Sequence, residues 1–277
     1  MEKHVLAKAA ARAIAANIIV WAPFASAAET PPMAGGYTDF ISIPVDDPNV
    51  KAIAGALFKP PGTGPFPAIV YMSGCGGLAA GAEQTQEKSV IDHMTAKGVA
   101  TLIVDPFSPR GETDGVCAKV TPETARAYFG RGGKDAVAAI NFLKAMPDID
   151  PKRIFLQGYS FGAISSLVAV DSTNPASKEP KVAGVIAFYP YCWDKVDPTV
   201  STLVMIGEKD DWTPAALCES VKDKANFEVV VYPGATHAFT MPFDKPFDYL
   251  GHHIVYDEQA AKDSMERAEA FIAAHLK

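Results

Sequence analysis

From Tyr37 onward, short apolar runs rich in Val and Ile alternate with longer stretches whose apolar positions recur at helical spacing. Phe40 to Val45 and Ala52 to Phe58 read as two strands at the edge of a sheet. Pro60-Pro61-Gly62 then breaks the chain, and Ala68 to Met72 is apolar throughout. Further runs follow at Ala100–Val104, Arg153–Gln157, Val182–Phe188, Thr202–Ile206 and Phe227–Tyr232. Mostly apolar runs of this length predict parallel strands covered on both faces, because a strand open to water on one side alternates instead.

Helical segments fill the gaps. Glu83 to Lys97 is one, stopped by Gly98. Another starts at Thr121-Pro122, where Thr can cap and Pro suits the first helical position. Asp135 to Met146 places Val137, Ile140 and Phe142 or Leu143 along one side before Pro147 ends it. Pro214 to Lys224 and Asp257 to His275 complete the set. Strands regularly spaced by helices predict an α/β fold, a doubly wound and mainly parallel sheet of about eight strands. No internal repeat or low-complexity tract interrupts it, so residues 37–277 read as one domain.

The first residues follow a different rule. Lys3, Lys8 and Arg12 precede a mostly apolar run from Ala13 to Ala25, and Ala25-Ser26-Ala27-Ala28 offers small residues for cleavage. This is the layout of an export signal, expected to occupy residues 1–28, with 29–36 as a linker. The run is short for a membrane span and carries Asn17 and Pro23, so no stable membrane insertion is expected after signal removal. The mature protein is then periplasmic or secreted.

Charge removes one class of function. The 277 residues carry a formal charge of −7, and cleavage after Ala28 would take away three basic residues and Glu2, leaving −9. Such a surface repels a phosphate backbone, and no basic stripe offsets this, so nucleic-acid binding is not expected. Cys75, Cys117, Cys192 and Cys218 form an even set in a chain read as exported, and none lies in a close metal-type pair. Their loops and helix follow neighbouring strands, which predicts Cys192–Cys218 and Cys75–Cys117 disulfides, with buried thiols as the alternative for each pair.

The sharpest chemical signal is Gly158-Tyr159-Ser160-Phe161-Gly162, between the strand Arg153–Gln157 and the helix Ala163–Val170. In this context a G-x-S-x-G turn lifts the Ser160 hydroxyl above the sheet and aims the Phe161 N–H and the helix N-terminus at a substrate oxyanion. A serine hydroxyl needs a base, and the base needs a group that fixes its tautomer. Downstream strands end at Gly207-Glu208-Lys209-Asp210-Asp211 and at Thr236-His237, giving the order Ser, Asp, His. His237 is the expected base, and either Asp210 or Asp211 its partner. Capping of the next helix is the bland role of the acids, and packing that of the histidine. His93, His252, His253 and His275 lack such a context.

Taken together, these residues resemble the dienelactone hydrolase family of α/β-hydrolases, particularly its exported members. The similarity runs over nearly all of the mature chain. It includes Ser73-Gly74-Cys75-Gly76-Gly77, the stretch Asp105 to Gly111, the Asp135-Ala136-Val137-Ala138-Ala139 helix and Gly234 to Phe239. The Gly-x-x-Asp-x-x-Thr-Pro pattern from Gly207 to Pro214 selects Asp210 as the acid. The resemblance implies the α/β-hydrolase fold, ester or lactone hydrolysis through an acyl-enzyme on Ser160, and no metal or organic cofactor. It also implies a second oxyanion donor, the N–H of Cys75, and an arginine, Arg110, that engages a substrate carboxylate; the bland role of Arg110 is to hold its own loop. Two departures stand out: the founding members use cysteine where this chain has Ser160, and many relatives have His-Gly where it has Ser73-Gly74. The expected partner is a small ester or lactone in a shallow to moderate pocket. Peptidase or thioesterase action by the same triad, and a binding protein without turnover, are the alternatives.

Overall fold

The computed structural model describes residues 33–78, 81–174 and 182–276. The export signal read at 1–28 and the start of the linker therefore lie outside the described residues.

Ten strands and five α-helices are present among them. Eight strands form one sheet: β1 (Ile41–Pro44), β2 (Ala52–Phe58), β3 (Phe66–Met72), β4 (Ala100–Asp105), β5 (Ile149–Tyr159), β6 (Gly184–Phe188), β7 (Thr202–Gly207) and β8 (Phe227–Tyr232). Their order is β1-β2-β4-β3-β5-β6-β7-β8. β2 runs antiparallel to both β1 and β4, while every other pairing is parallel. β4, β6 and β7 are buried at every position, so the sheet is covered on both faces. The edge strand β1 is the least buried of the eight, with Ile43 its one buried residue, as its position allows.

The strand order reverses around β3. The chain steps outward from β3 through helix α1 (Gly81–Ala96) to β4, then returns past β3 through α2 (Ala125–Lys144) to β5. Connections thus leave the carboxyl ends of β3 and β5 in opposite directions and open a crevice there, the place where such sheets bind ligands.

Two expectations require correction. The helices read separately from Thr121 and from Asp135 are one helix, α2, of 20 residues. Its glycines do not break it because they are needed for close packing: a Cβ on Gly132 would lie 2.1 Å from Ser165 Oγ, and one on Gly133 2.7 Å from Val168 Cγ1. Both neighbours belong to α3 (Phe161–Val170), the helix after the elbow. The helix expected over Pro214–Lys224 is shorter, with α4 covering Ala215–Glu219.

A short hairpin was not legible in the pattern. β9 (Phe247–Tyr249) and β10 (His252–Ile254) pair antiparallel across Leu250-Gly251, both at positive φ (50° and 89°). Three-residue strands give almost no periodicity, and Leu is not the residue expected at a left-handed turn position. The chain ends in α5 (Glu258–His275), capped by Asp257, whose side chain accepts the Ala260 N–H at 2.9 Å; such a cap contributes about 1 kcal/mol.

Candidate active site

Ser160 sits on the turn between β5 and α3 with φ 48° and ψ −112°, a conformation costly for any residue with a Cβ. Packing dictates the glycines on either side. A Cβ on Gly158 would lie 2.3 Å from Gly162 O, and one on Gly162 would lie 2.1 Å from Met72 O. The turn is held by the Ser160 N–H, which donates to Phe188 O at 2.9 Å, and by Ile164 N–H donating to Ser160 O at 3.0 Å. The serine is therefore fixed at the carboxyl edge of the sheet with its hydroxyl facing the crevice.

His237 follows β8 and is 2% exposed. Its Nε2 lies 2.9 Å from Ser160 Oγ, and its Nδ1 lies 2.8 Å from Asp210 Oδ2. A carboxylate only accepts hydrogen bonds, so Nδ1 carries the proton and Nε2 is left free to accept one from the serine. Asp210 follows β7 and is itself fully engaged. Its Oδ1 accepts the N–H groups of Trp212 (3.0 Å) and Thr213 (2.8 Å), and its Oδ2 accepts the Thr213 hydroxyl at 2.9 Å. Four donors converge on this buried carboxylate and fix its plane.

Ser160, Asp210 and His237 are thus brought together, in one hydrogen-bonded line. Asp211 is not part of it: its Oδ1 lies 3.2 Å from His252 Nδ1 at the rim. Thr213 and Trp212 were missed as members of the site by sequence reasoning, although both lie within the Gly207–Pro214 pattern. His93, His253 and His275 contact Glu269, Asp248 and the Phe271 carbonyl, away from the serine.

A cavity of about 470 Å³ opens on Ser160 and His237, with Gly74, Cys75 and Cys117 along one side. The Cys75 loop after β3 is held by a disulfide and a backbone hydrogen bond. Cys75 is bonded to Cys117, and its carbonyl accepts the Val116 N–H at 2.7 Å. Cys192 is bonded to Cys218, so both expected disulfides are formed. Phe161 opens α3, and its ring packs against Phe107 and Phe129, with centroids 5.3 and 5.5 Å apart. Amides in the first turn of a helix lack intrahelical acceptors, which leaves the Phe161 N–H available to a ligand.

Arg110 departs from the substrate-binding role implied for it. Its side chain is 4% exposed and does not line the cavity. Nη1 and Nη2 each reach a different oxygen of Asp135 at 2.9 Å, Nε and Nη2 reach Asp47 Oδ2 at 3.1 and 2.9 Å, and Nη1 also donates to Pro106 O. Burial pushes the Asp135 carboxyl up to about 6. Burial also acts to lower Arg110, yet its bonds to Asp135 and Asp47 hold it above its ordinary value. With all its donors committed, this guanidinium has no fork left for a substrate carboxylate.

Among the described residues no three His, Cys, Asp or Glu side chains converge as a metal site, and no helix is long and apolar enough to cross a membrane.

Comparisons with known proteins fit this geometry. A "Putative carboxymethylenebutenolidase" of Synechocystis sp. is 24% identical over 271 residues, covering 87% of this chain and 98% of that protein. A thiohydrolase, apmlB of Arthrinium phaeospermum, is 36% identical over 96 residues, but this stretch spans 34% of the present chain and 27% of the relative. Among solved structures, the thermophilic esterase Est2 of Thermogutta terrifontis with propionate bound superposes with a TM-score of 0.59 at 18% identity, covering 85% of this chain and 93% of that one. That likeness shows the α/β-hydrolase fold. A sequence model of the dienelactone hydrolase family matches residues 53–276, from β2 to the end of α5, and the chain belongs to that family.

Proposed function

We propose that the protein is a serine hydrolase that cleaves carboxylic esters or lactones through an acyl-enzyme on Ser160. The observation that carries this reading is the continuous line of contacts from Asp210 through His237 to Ser160, 2.8 and 2.9 Å, at the mouth of a cavity. Ser160 Oγ attacks the carbonyl carbon as His237 Nε2 takes its proton, and the imidazolium is stabilised by Asp210. The carbonyl oxygen becomes an oxyanion facing the N–H groups of Cys75 and Phe161; each such donor is worth about 3 kcal/mol to the transition state. Collapse breaks the ester C–O bond, and His237 returns the proton to the leaving alkoxide. Water, deprotonated by His237, then releases the acid and restores Ser160.

A thioester would pass through the same steps, and the match to a thiohydrolase favours keeping it as a second reading. A binding protein without turnover would need neither the strained serine nor the engaged histidine. Two disulfides among the described residues support work in an oxidising, exported setting.

The test is Ser160→Ala assayed on aryl acetates. Activity should fall to below roughly a thousandth of wild type, the residue left by oxyanion donors alone, with the unfolding midpoint preserved. Substantial activity in the folded variant would remove Ser160 as nucleophile.

A further inference from the structure

The cavity beside Ser160 has a lopsided lining. Its far wall is apolar and largely aromatic, formed by Trp212, Met241, Phe243, Phe247, Tyr249 and Ile254. Three of these come from the β9–β10 hairpin, which the Phe243–Phe247 contact (centroids 4.7 Å) and the Trp212–Tyr249 contact (6.0 Å) tie to the rest of the wall. On the rim, His252 of the same hairpin stacks on Trp212 at 4.5 Å with 10° between planes. The apolar surface continues outward through Tyr249 and Leu250, which are 42% and 50% exposed.

The charge in the cavity is equally one-sided. Among the described residues that line it, Asp114 is the one acidic side chain, and neither Lys nor Arg is present. Arg110, the cation that could have served an anion, is buried between Asp47 and Asp135. A carboxylate entering here would lose its hydration without gaining a cation, and would approach Asp114.

We propose that this cavity selects uncharged esters carrying an aromatic group and turns away esters with a free carboxylate, with the β9–β10 hairpin as the specificity-determining wall. The inference rests on Ser160 being the nucleophile, and it adds a substrate class that this role alone leaves open. A flat ring of the substrate lies against Trp212, Phe247 and Tyr249, where offset or edge-on aromatic contacts are favourable. Asp114 adds to the discrimination that desolvation begins.

The experiment compares methyl 4-acetoxybenzoate with the 4-acetoxybenzoate anion, each rate divided by its hydroxide-catalysed rate. The neutral ester should be favoured in kcat/KM by at least about thirtyfold, reflecting the uncompensated desolvation of the carboxylate. Asp114→Asn should shrink that ratio about fivefold and Asp114→Lys further, as expected for removing and then reversing one nearby charge. Phe247→Ala should lower kcat/KM for the neutral aryl ester relative to ethyl acetate by about fivefold. A ratio near unity or favouring the anion overturns the proposal. A large ratio that neither Asp114 variant alters removes Asp114 from it, and an unchanged aryl preference in Phe247→Ala removes the hairpin wall. If neither ester is cleaved and a fluorophosphonate leaves Ser160 unlabelled, the failure lies with the hydrolase reading itself.

Discussion

Asp211 pairs with His252, not with His237: its Oδ1 lies 3.2 Å from His252 Nδ1, while the adjacent Asp210 reaches His237 at 2.8 Å from within the fold. Two neighbouring carboxylates therefore differ in burial and partner, Asp210 being 4% exposed and Asp211 at the surface. Asp210→Asn should lower kcat on aryl acetates by about 10³–10⁴, because an amide can donate to His237 and favour the wrong tautomer. Asp211→Asn should change it less than about threefold, since an exposed pair contributes little. Steady-state rates of the two variants check this, and the reverse order would mean that the carboxylate has been misassigned.

Arg110 tests whether a buried ion pair holds the loop after β4. Lys keeps the charge but loses the planar fork that spans Asp135 and Asp47, so Arg110→Lys should lower stability by about 2 kcal/mol. Turnover of charged and neutral esters should fall together. Urea unfolding with parallel assays on both substrates measures it. A selective rise in KM for carboxylate-bearing esters, at unchanged stability, would return Arg110 to the substrate.

The two disulfides should separate by function. Cys75–Cys117 closes a span of 42 residues and Cys192–Cys218 one of 26, so loss of either should cost about 3–4 kcal/mol in the loop-entropy account. Only the first touches the cavity. The double variant Cys75→Ser with Cys117→Ser should therefore lower kcat by about tenfold or more with KM little changed, as a displaced oxyanion donor does. Cys192→Ser with Cys218→Ser should leave kcat nearly intact. Equal kinetic effects would argue that Cys75 contributes packing alone.

Glu87 gives a pH dependence with a definite sign. It is fully buried on α1, accepts the Tyr37 hydroxyl at 2.9 Å, and is pushed up to about 8, first by burial and further by the nearby Asp105. An unfolded glutamate titrates near 4.5, so between that pH and about 8 the folded state holds a proton that the unfolded state has lost. Stability should then fall as pH rises through this window, by about 3–4 kcal/mol between pH 5 and 8, and flatten above it. Glu87→Gln keeps an acceptor for Tyr37 and should remove most of that slope, leaving the smaller part due to Asp135 below about pH 6. Urea midpoints of both proteins at pH 5, 6, 7 and 8 test it, and parallel slopes would contradict it.

Much of the sheet was readable because its strands are buried on both faces and its elbow is fixed by local sterics. β2, β4, β7 and β8 fall within a residue of their apolar runs, and the Ser160 turn is written in its two glycines. What escaped depends on contacts distant in sequence. Gly132 and Gly133 look like helix breakers until α3 is seen against them, and Arg110 looks available until Asp47, 63 positions away, is found on its guanidinium. The hairpin that walls the cavity is too short to show a period, and its exposed Leu250 gives no turn signal. The shape of the pocket was therefore hidden even where its proposed chemistry was legible.

The most direct measurement is covalent trapping with a fluorophosphonate followed by intact mass and peptide mapping. One adduct per chain is expected, on the peptide bearing Ser160, with activity lost in proportion to labelling and no adduct on Ser160→Ala. Full activity in completely labelled protein, or hydrolysis by protein that the probe modifies at another residue, would contradict it.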